Sequence, residues 1–283
     1  MKNQETIQAK SNILNILDQL QASDLNNKAE DLYNKQKYQE SLELHLKALN
    51  MREIYAPNSL DFARSLNGVG SCQSRLNKPQ EALNLHLKAL NIQQEKAPNS
   101  LDEARSYNGI GNAYYGLEEY NKAINYHKKA IELQENQAPN SLALAHSYDT
   151  IGVAYDDLKE YKQAINYYEK AITIRADQAP NSLDLEDSYH NIGDAYIGLK
   201  KYNEAINYHK KALNIKAYKA SNSLALEDNY HNIYIAYENK GDKKSAEAFY
   251  EKSESIKASL EKAQNNIKPN DYKQLKDNQQ QRN

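Results

Sequence analysis

Apolar and small residues recur at helical intervals along most of the chain. Between residues 101 and 115 they stand three or four positions apart, at Ala104, Tyr107, Ile110, Gly111 and Tyr114. This spacing puts them on one face of an α-helix. The stretch that follows shows the same spacing, and no strand-like alternation of comparable length competes with it. The pattern predicts pairs of amphipathic helices and an all-α fold.

The whole pattern returns every 41 residues. The segment Ala-Pro-Asn-Ser-Leu begins at Ala56, Ala97, Ala138 and Ala179, and a variant with Ser221 in place of proline begins at Ala220. A divergent first repeat precedes Ala56, so that six repeats follow one another to about residue 260, and we number them 1 to 6. A fixed period of this kind is typical of a solenoid, in which stacked helix pairs share a continuous core.

Helix boundaries are marked by residues with specific backbone roles. Proline cannot continue a helix and disfavours helical geometry in the residue before it. It recurs at Pro57, Pro98, Pro139 and Pro180. Ser100 supplies an N-cap oxygen, and Glu103 three residues later predicts a capping box. Pro79 stands at the expected start of a second helix, where proline is tolerated. We expect two helices of about 15 residues and two short turns in each repeat.

Outside the repeats the chain changes character. Residues 1–22, with Ile13, Leu14 and Leu17 at helical spacing, predict an N-terminal capping helix. Residues 23–261 are predicted to form the solenoid. The polar composition of residues 262–283 predicts a disordered tail.

Glycine recurs in the middle of the first helices, where it costs about 1 kcal/mol relative to alanine. The four positions are 41 residues apart: Gly70, Gly111, Gly152 and Gly193. We expect a close approach of the paired helix to offset this cost. The small residues predicted to face the glycines are Ala82, Ala123, Ala164 and Ala205.

These residues resemble a known repeat family. The pattern Tyr107-x-x-Ile110-Gly111-x-x-Tyr114, followed by Ala123 and Ala130, is similar to the tetratricopeptide repeat. The 41-residue period and the longer second helix resemble the kinesin-light-chain type of repeat rather than the 34-residue form. The resemblance implies a right-handed α-solenoid of about six helix-turn-helix repeats. It also implies that the first helices line a concave surface, where family members hold ligands.

Composition and charge exclude several function classes. The net charge of −2 lacks the basic excess of a nucleic-acid binder. No apolar run approaches the length of a membrane helix, and the first residues lack the apolar segment of a secretory signal. The single cysteine, Cys72, excludes an internal disulfide framework and is predicted to pack on its helix. We expect a cytoplasmic protein that contacts neither nucleic acid nor membrane.

No catalytic motif appears in the sequence, and no cofactor is expected. Four histidines, His45, His86, His127 and His209, share a repeat position with Tyr168 and Tyr250, which predicts an aromatic packing slot. The pairs Asp187/His190 and Asp228/His231 have equal spacing one repeat apart. Such pairs can bind a divalent metal, but we expect the imidazoles to bond neighbouring carboxylates and to make this region pH-sensitive.

The resemblance places a set of polar residues on the concave surface, and these are the predicted partner-binding residues. Repeats 2 and 3 contribute Arg64, Asn67, Arg75, Arg105, Asn108, Asn112 and Tyr115. Repeats 4 to 6 contribute His146, Asp149, Asp187, His190, Asp194, Asp228 and His231. The first set holds arginines and no acid, and the second holds acids and no Lys or Arg. The groove is therefore predicted to be basic at one end and acidic at the other, unless these charges merely solvate an exposed surface.

Each type of side chain suggests a role toward a peptide. The asparagines could bond an extended backbone, because an amide both donates and accepts. The arginines could hold a carboxylate bidentately, and the acidic end would favour segments with Lys or Arg. We therefore expect a non-enzymatic scaffold or adaptor that binds a protein or peptide ligand. The alternatives are a kinesin-light-chain-like cargo adaptor, although only about 20 residues precede the repeats, and a peptide-sensing regulatory protein.

Overall fold

The structure, a computed structural model, describes the backbone of residues 2–216 and 224–265. Every regular element in these ranges is an α-helix, as the spacing predicts. The helices of the first half are α1 (Lys2–Asn34), α2 (Tyr38–Tyr55), α3 (Leu60–Arg75), α4 (Pro79–Lys96), α5 (Leu101–Gly116) and α6 (Tyr120–Gln137). Those of the second half are α7 (Leu142–Asp157), α8 (Tyr161–Gln178), α9 (Leu183–Gly198), α10 (Tyr202–Lys216), α11 (Leu224–Lys240) and α12 (Lys243–Asn265).

The helices form two compact bodies, Met1–Leu158 and Lys159–Asn283. We call them the N-terminal body and the C-terminal body; the division falls inside repeat 4, between α7 and α8. Within each body consecutive helices pack as helix-turn-helix pairs. The predicted α-solenoid of about six repeats is confirmed.

Two predicted boundaries differ from the helices. Helix α1 continues from Lys2 to Asn34, so the capping segment and the first helix of repeat 1 form one helix without a break at residue 22. Helix α12 runs to Asn265, past the predicted end of the repeats at residue 261. The predicted tail from residue 266 on, and the repeat start at Ser221, lie outside the described residues.

The predicted start signals are confirmed with one difference in detail. Ser100 caps α5, its hydroxyl accepting a hydrogen bond from the backbone N–H of Glu103 at 3.2 Å. The Glu103 carboxylate accepts from the N–H of Asn99 at 2.6 Å, one residue before the cap, and so departs from a standard capping box. Asn99 has a φ of +58°, a left-handed conformation that asparagine tolerates better than most residues. Pro79 opens α4 as expected.

Three of the four mid-helix glycines, Gly70, Gly111 and Gly193, face imidazole rings rather than the predicted alanines. A Cβ on Gly111 would lie 2.6 Å from the ring of His127, and one on Gly70 would lie 2.8 Å from His86. The ring of His86 is also covered from the next repeat, because a Cβ on Gly109 would approach it to 2.4 Å. The alanines at these levels are fully buried but are not the nearest groups. The close approach of the paired helices is thus real, and a histidine fills the space between them.

None of the helices in the described ranges is long and apolar enough to cross a membrane.

Replacing Gly111 with alanine is expected to lower the free energy of unfolding by about 1–3 kcal/mol, because the His127 ring must shift to admit the methyl group. The helix-propensity gain of about 1 kcal/mol is too small to reverse this loss. Urea denaturation measures the change. Asn112→Ala on the same helix is the matched control, since Asn112 faces open space and should keep or raise stability; equal stability of the two variants would contradict the packing argument.

Candidate functional site

A row of buried polar side chains ties each repeat of the N-terminal body to the next. In repeat 2, Asn67 Oδ1 accepts from His86 Nδ1 at 2.8 Å, and Asn67 Nδ2 donates to the hydroxyl of Ser106 in repeat 3 at 2.7 Å. Ser106 in turn donates to Gln93 Oε1 at 2.5 Å. All four side chains are buried. We call this arrangement the polar row.

The polar row repeats at intervals of 41 residues with small changes. Asn108 bonds His127 at 3.1 Å and donates to Ser147 at 2.7 Å. In repeat 1, the His45 ring bonds the Asn26 amide oxygen at 2.9 Å. Asn67 and Asn108 therefore use both amide atoms inside the protein. Asn67 is buried, whereas Asn108 is half-buried and keeps a second amide proton, so the peptide contact predicted for Asn108 stays a prediction.

Burial keeps the histidines of the polar row neutral. It lowers the pKa of His86 to about 4 and that of His127 to about 3, because the charged form would lose its hydration. The pKa of His45 falls to about 4 through burial and, next, through the nearby charge of Arg52. A neutral ring with its proton on Nδ1 is the form that can donate to the asparagine oxygen.

Two adjoining cavities open on the first helices of the N-terminal body. The larger has a volume of about 520 Å³, and the smaller has about 190 Å³. Tyr33, Ser71 and Arg105 line both. We call the surface that contains the two cavities the N-terminal groove. Among the predicted partner-binding residues, the structure brings these to the larger cavity: Arg64, Arg105, Asn108, Asn112 and His146.

Glycines line the bottom of the N-terminal groove. Gly109 lies in the larger cavity and Gly68 in the smaller, each on the outer side of a buried imidazole. One repeat further on, Thr150 stands at the same position, and its hydroxyl lies 3.4 Å from His127 Nδ1. At Gly68 and Gly109 the space that a side chain would take is filled by the imidazole ring, so no side chain of these two residues projects into the cavities.

Arg64 is already held by two acids that are not among the predicted partner-binding residues. Its guanidinium lies 2.9 Å from Asp61 on its own helix and 2.9 Å from Asp102 on the next first helix. These two aspartates stand one turn before the predicted arginine positions. Repeats 2 and 3 therefore contain acids beside the arginines, and their predicted basic character is partly cancelled.

Arg75 and Tyr115 line neither cavity. Arg75 donates to the Tyr38 hydroxyl at 2.8 Å and lies 5.0 Å from the centre of that ring. The Tyr115 hydroxyl donates to Asp157 at 2.6 Å. Both side chains are thus bonded near the C-terminal ends of their helices. The predicted residue Asp149 is buried in α7.

The predicted partner-binding residues begin in repeat 2. They therefore omit Glu30 and Tyr33, which α1 brings to the groove. Glu30 stands 41 residues before Ser71 and 82 before Asn112, in the same repeat position. A comparison of equivalent repeat positions that included repeat 1 would have identified Glu30. Arg105 and Glu30 form an ion pair of 3.5 Å.

The C-terminal body contains a separate polar cluster on α9, α10 and α11. His190 Nε2 lies 3.1 Å from the Asp194 carboxylate, and His209 Nε2 lies 3.4 Å from it. Both imidazole Nδ1 atoms lie 3.2 Å from Asn229 Oδ1. His190 thus bonds a neighbouring carboxylate, as expected, and that carboxylate belongs to Asp194 and not to Asp187. The predicted residues Asp187, Asp228 and His231 are exposed.

The two imidazoles of this cluster have opposite pKa shifts. Burial lowers the pKa of His209 to about 4. Burial also disfavours the charged form of His190, but the hydrogen bond and charge of Asp194 outweigh it and raise the pKa of His190 to about 9. These opposite shifts favour a charged His190 and a neutral His209 near pH 7, and the pH sensitivity of this region stays a prediction. Within the described residues, no group of three His, Cys, Asp or Glu side chains is arranged to hold a metal ion.

The family model described as "Tetratricopeptide repeat" matches residues 21–95, 86–136, 102–177 and 184–259. The chain belongs to the tetratricopeptide-repeat family. The matched ranges cover most of the chain and include every helix that lines the N-terminal groove. The resemblance stated from the repeat motifs is thereby confirmed.

Several solved structures share this tetratricopeptide-repeat fold. BtubC (BKLC) from P. vanneervenii has a TM-score of 0.68 at 18% identity, over 78% of this chain and 90% of that one. A putative kinesin light chain of Podospora anserina, with nearly identical TPR-like repeats, has a TM-score of 0.62 at 18% identity, over 71% of this chain and 98% of that one. A Rap protein complexed with Competence and Sporulation Factor has a TM-score of 0.63 at 17% identity, over 86% of this chain and 76% of that one.

At these identities the likeness concerns the fold alone. It includes repeat proteins of the kinesin-light-chain kind, as the 41-residue period indicated. A search of curated protein sequences finds no match to this chain.

Acid is expected to destabilise the protein through the buried histidines. Each folded-state pKa lies below the ordinary value of 6.5, so their contribution to stability is complete above pH 6.5 and declines as the pH falls through about 4. The loss should reach on the order of 2–3 kcal/mol per imidazole. Urea denaturation between pH 7.5 and pH 4.5 measures it. His86→Gln should lose less stability than wild type does. His231→Gln, a control at an exposed position, should lose as much as wild type does. Identical curves for all three proteins would refute the assignment.

Asp194→Asn is expected to lower the pKa of His190 well below 9, because burial then acts without the compensating carboxylate. NMR titration of the imidazole resonances measures this shift. Asp187→Asn on the same helix removes an exposed carboxylate that His190 does not contact and should leave the titration unchanged. A His190 pKa that follows Asp187 instead of Asp194 would show that the bonding pattern is wrong.

Proposed function

We propose that this tetratricopeptide-repeat protein is a non-enzymatic interaction scaffold that binds a peptide segment of a partner protein in its N-terminal groove. The observation that carries the proposal is the pair of adjoining cavities above Gly68 and Gly109. They provide open space along the first helices, and polar side chains border it. No cofactor, nucleic acid or membrane enters the proposal, and we propose a cytoplasmic location.

The border of the groove suits an extended peptide. The amide of Asn112 lines the larger cavity and makes no side-chain hydrogen bond within the described residues. An amide can both donate to and accept from a peptide backbone, which is how a binding surface recognises an extended chain without reading its sequence. The bare floor lets a ligand backbone come close to the helices.

The C-terminal body would contribute through charge. Asp187 and Asp228 are exposed on α9 and α11. They would attract Lys- or Arg-bearing segments and speed their capture, more than they would strengthen binding. The acidic end proposed from the sequence therefore rests on these two residues, since Asp194 bonds His190 and Asn232.

A peptide-sensing regulatory role is the second candidate. The structure of a Rap protein complexed with Competence and Sporulation Factor supports it through the shared fold. A cargo-adaptor role like that of kinesin light chain is supported by the repeat type. Both roles require the same peptide-binding groove.

Filling the groove should abolish peptide binding. Ser71 lines both cavities, so Ser71→Tyr would place an aromatic ring where a ligand must pass. Dodecapeptides selected from a display library on the full-length protein provide the probe, and fluorescence anisotropy provides the affinity. We expect at least a tenfold loss in Ser71→Tyr with unchanged circular dichroism.

Asn50→Tyr, an exposed position on the second helix α2, is the matched control and should bind as wild type does. Equal binding by both tyrosine variants would move recognition away from the groove. Failure to select any peptide would refute the proposed function.

A further inference from the structure

We propose that the N-terminal groove receives an acidic side chain of its peptide ligand at Arg105, which exchanges Glu30 for that ligand group. The inference rests on the proposed function and names the chemistry of its ligand. Glu30 would act as a built-in competitor that occupies the arginine while the groove is empty.

The ion pair between Glu30 and Arg105 closes across the groove. Glu30 belongs to α1 and Arg105 to α5, with α3 between them in the stack. Both residues line the smaller cavity together with Gly68 and Ser71 of α3. A peptide that follows the groove must therefore pass the point where this ion pair stands.

The pair is weak enough to exchange. Its one contact is 3.5 Å long, and the side chains of Arg105 and Glu30 are 59% and 38% exposed. Exposed pairs of this kind contribute little stability, since water screens them and the side chains lose freedom. Arg64 differs, because it makes contacts of 2.9 Å with both Asp61 and Asp102. Of the two arginines in the larger cavity, Arg105 is the one that can change partner at low cost.

The position of Arg105 indicates an acidic side chain rather than a chain end. Arg105 lines the cavities on both of its sides, so a ligand that meets it has room to continue in either direction. A carboxylate of Asp or Glu can accept two parallel hydrogen bonds from a guanidinium, whereas Glu30 offers a single long one. The ligand class is therefore an extended segment with an internal Asp or Glu.

The decisive variant is Glu30→Gln, because it should improve binding rather than damage it. The probes are the tightest selected dodecapeptide, the same peptide with its Asp and Glu changed to Asn and Gln, and its C-terminal amide. Full-length Glu30→Gln should bind the acidic peptide about two- to fivefold more tightly than wild type does, the range expected for release of an exposed ion pair. Its affinity for the neutral peptide should not change.

Arg105→Gln should lose the preference for the acidic peptide, and Arg105→Lys should retain only part of it. The control is Glu40→Gln, which removes a carboxylate that pairs with Lys37 at 3.0 Å outside the groove. This control should leave both affinities unchanged.

Each outcome decides between the two proposals. Tighter binding in Glu30→Gln that requires the acidic side chain supports the exchange. A selected peptide that binds in the groove but contains no acid, or one whose affinity ignores Glu30 and Arg105, overturns the exchange and leaves the proposed function intact. Loss of binding on amidation of the C-terminus would make the ligand group a chain end and overturn the inference as stated. Absence of any selected peptide overturns both.

Discussion

The N-terminal body depends on the burial of neutral imidazole rings between paired helices. A buried N–H without an acceptor costs about 1–3 kcal/mol, more than an ordinary hydrogen bond contributes, so the Nδ1–H of each ring needs a fixed acceptor. Asparagine supplies it, but its own amide protons must then be satisfied, and a serine of the following repeat accepts one of them. Asn67, His86 and Ser106 show the complete chain of dependence. Hydrogen bonding within one repeat thereby fixes the position of the next.

The same rings determine where the protein is open. An imidazole is wide, and the helices close most tightly around it where the residues in contact have no side chain, as at Gly70 and Gly109. Glycine on the inner side permits packing, and glycine on the outer side leaves the groove floor bare. Thr150 shows the alternative, since its hydroxyl bonds the ring nitrogen of His127 and occupies that space. The packing around the rings thus helps to shape the groove, which Gly68 and Gly109 border.

The period of the sequence predicted the fold well because helix boundaries depend on local chemistry. Proline stops, serine caps and the spacing of apolar residues act within a few positions, and each recurs in at least four repeats. The partners of polar side chains were predicted poorly. Asn67 bonds residues 19 and 39 positions away, and Arg64 finds Asp102 at 38. Which polar neighbours meet depends on how each helix is rotated and on where its side chains point. The residue types at equivalent repeat positions give no information on either.

Formal charge was for this reason a poor guide to the groove. The sequence counts Arg64 and Arg105 as equal, yet the structure neutralises the first with two short contacts and the second with one long, exposed contact. What a ligand meets is the charge that remains available after internal pairing. Because water screens an exposed pair, the cost of separating it is small, and a ligand carboxylate with better geometry can replace the internal one. Under the proposed exchange, the selectivity of the groove would be set by its weakest internal ion pair and not by the sum of its charges.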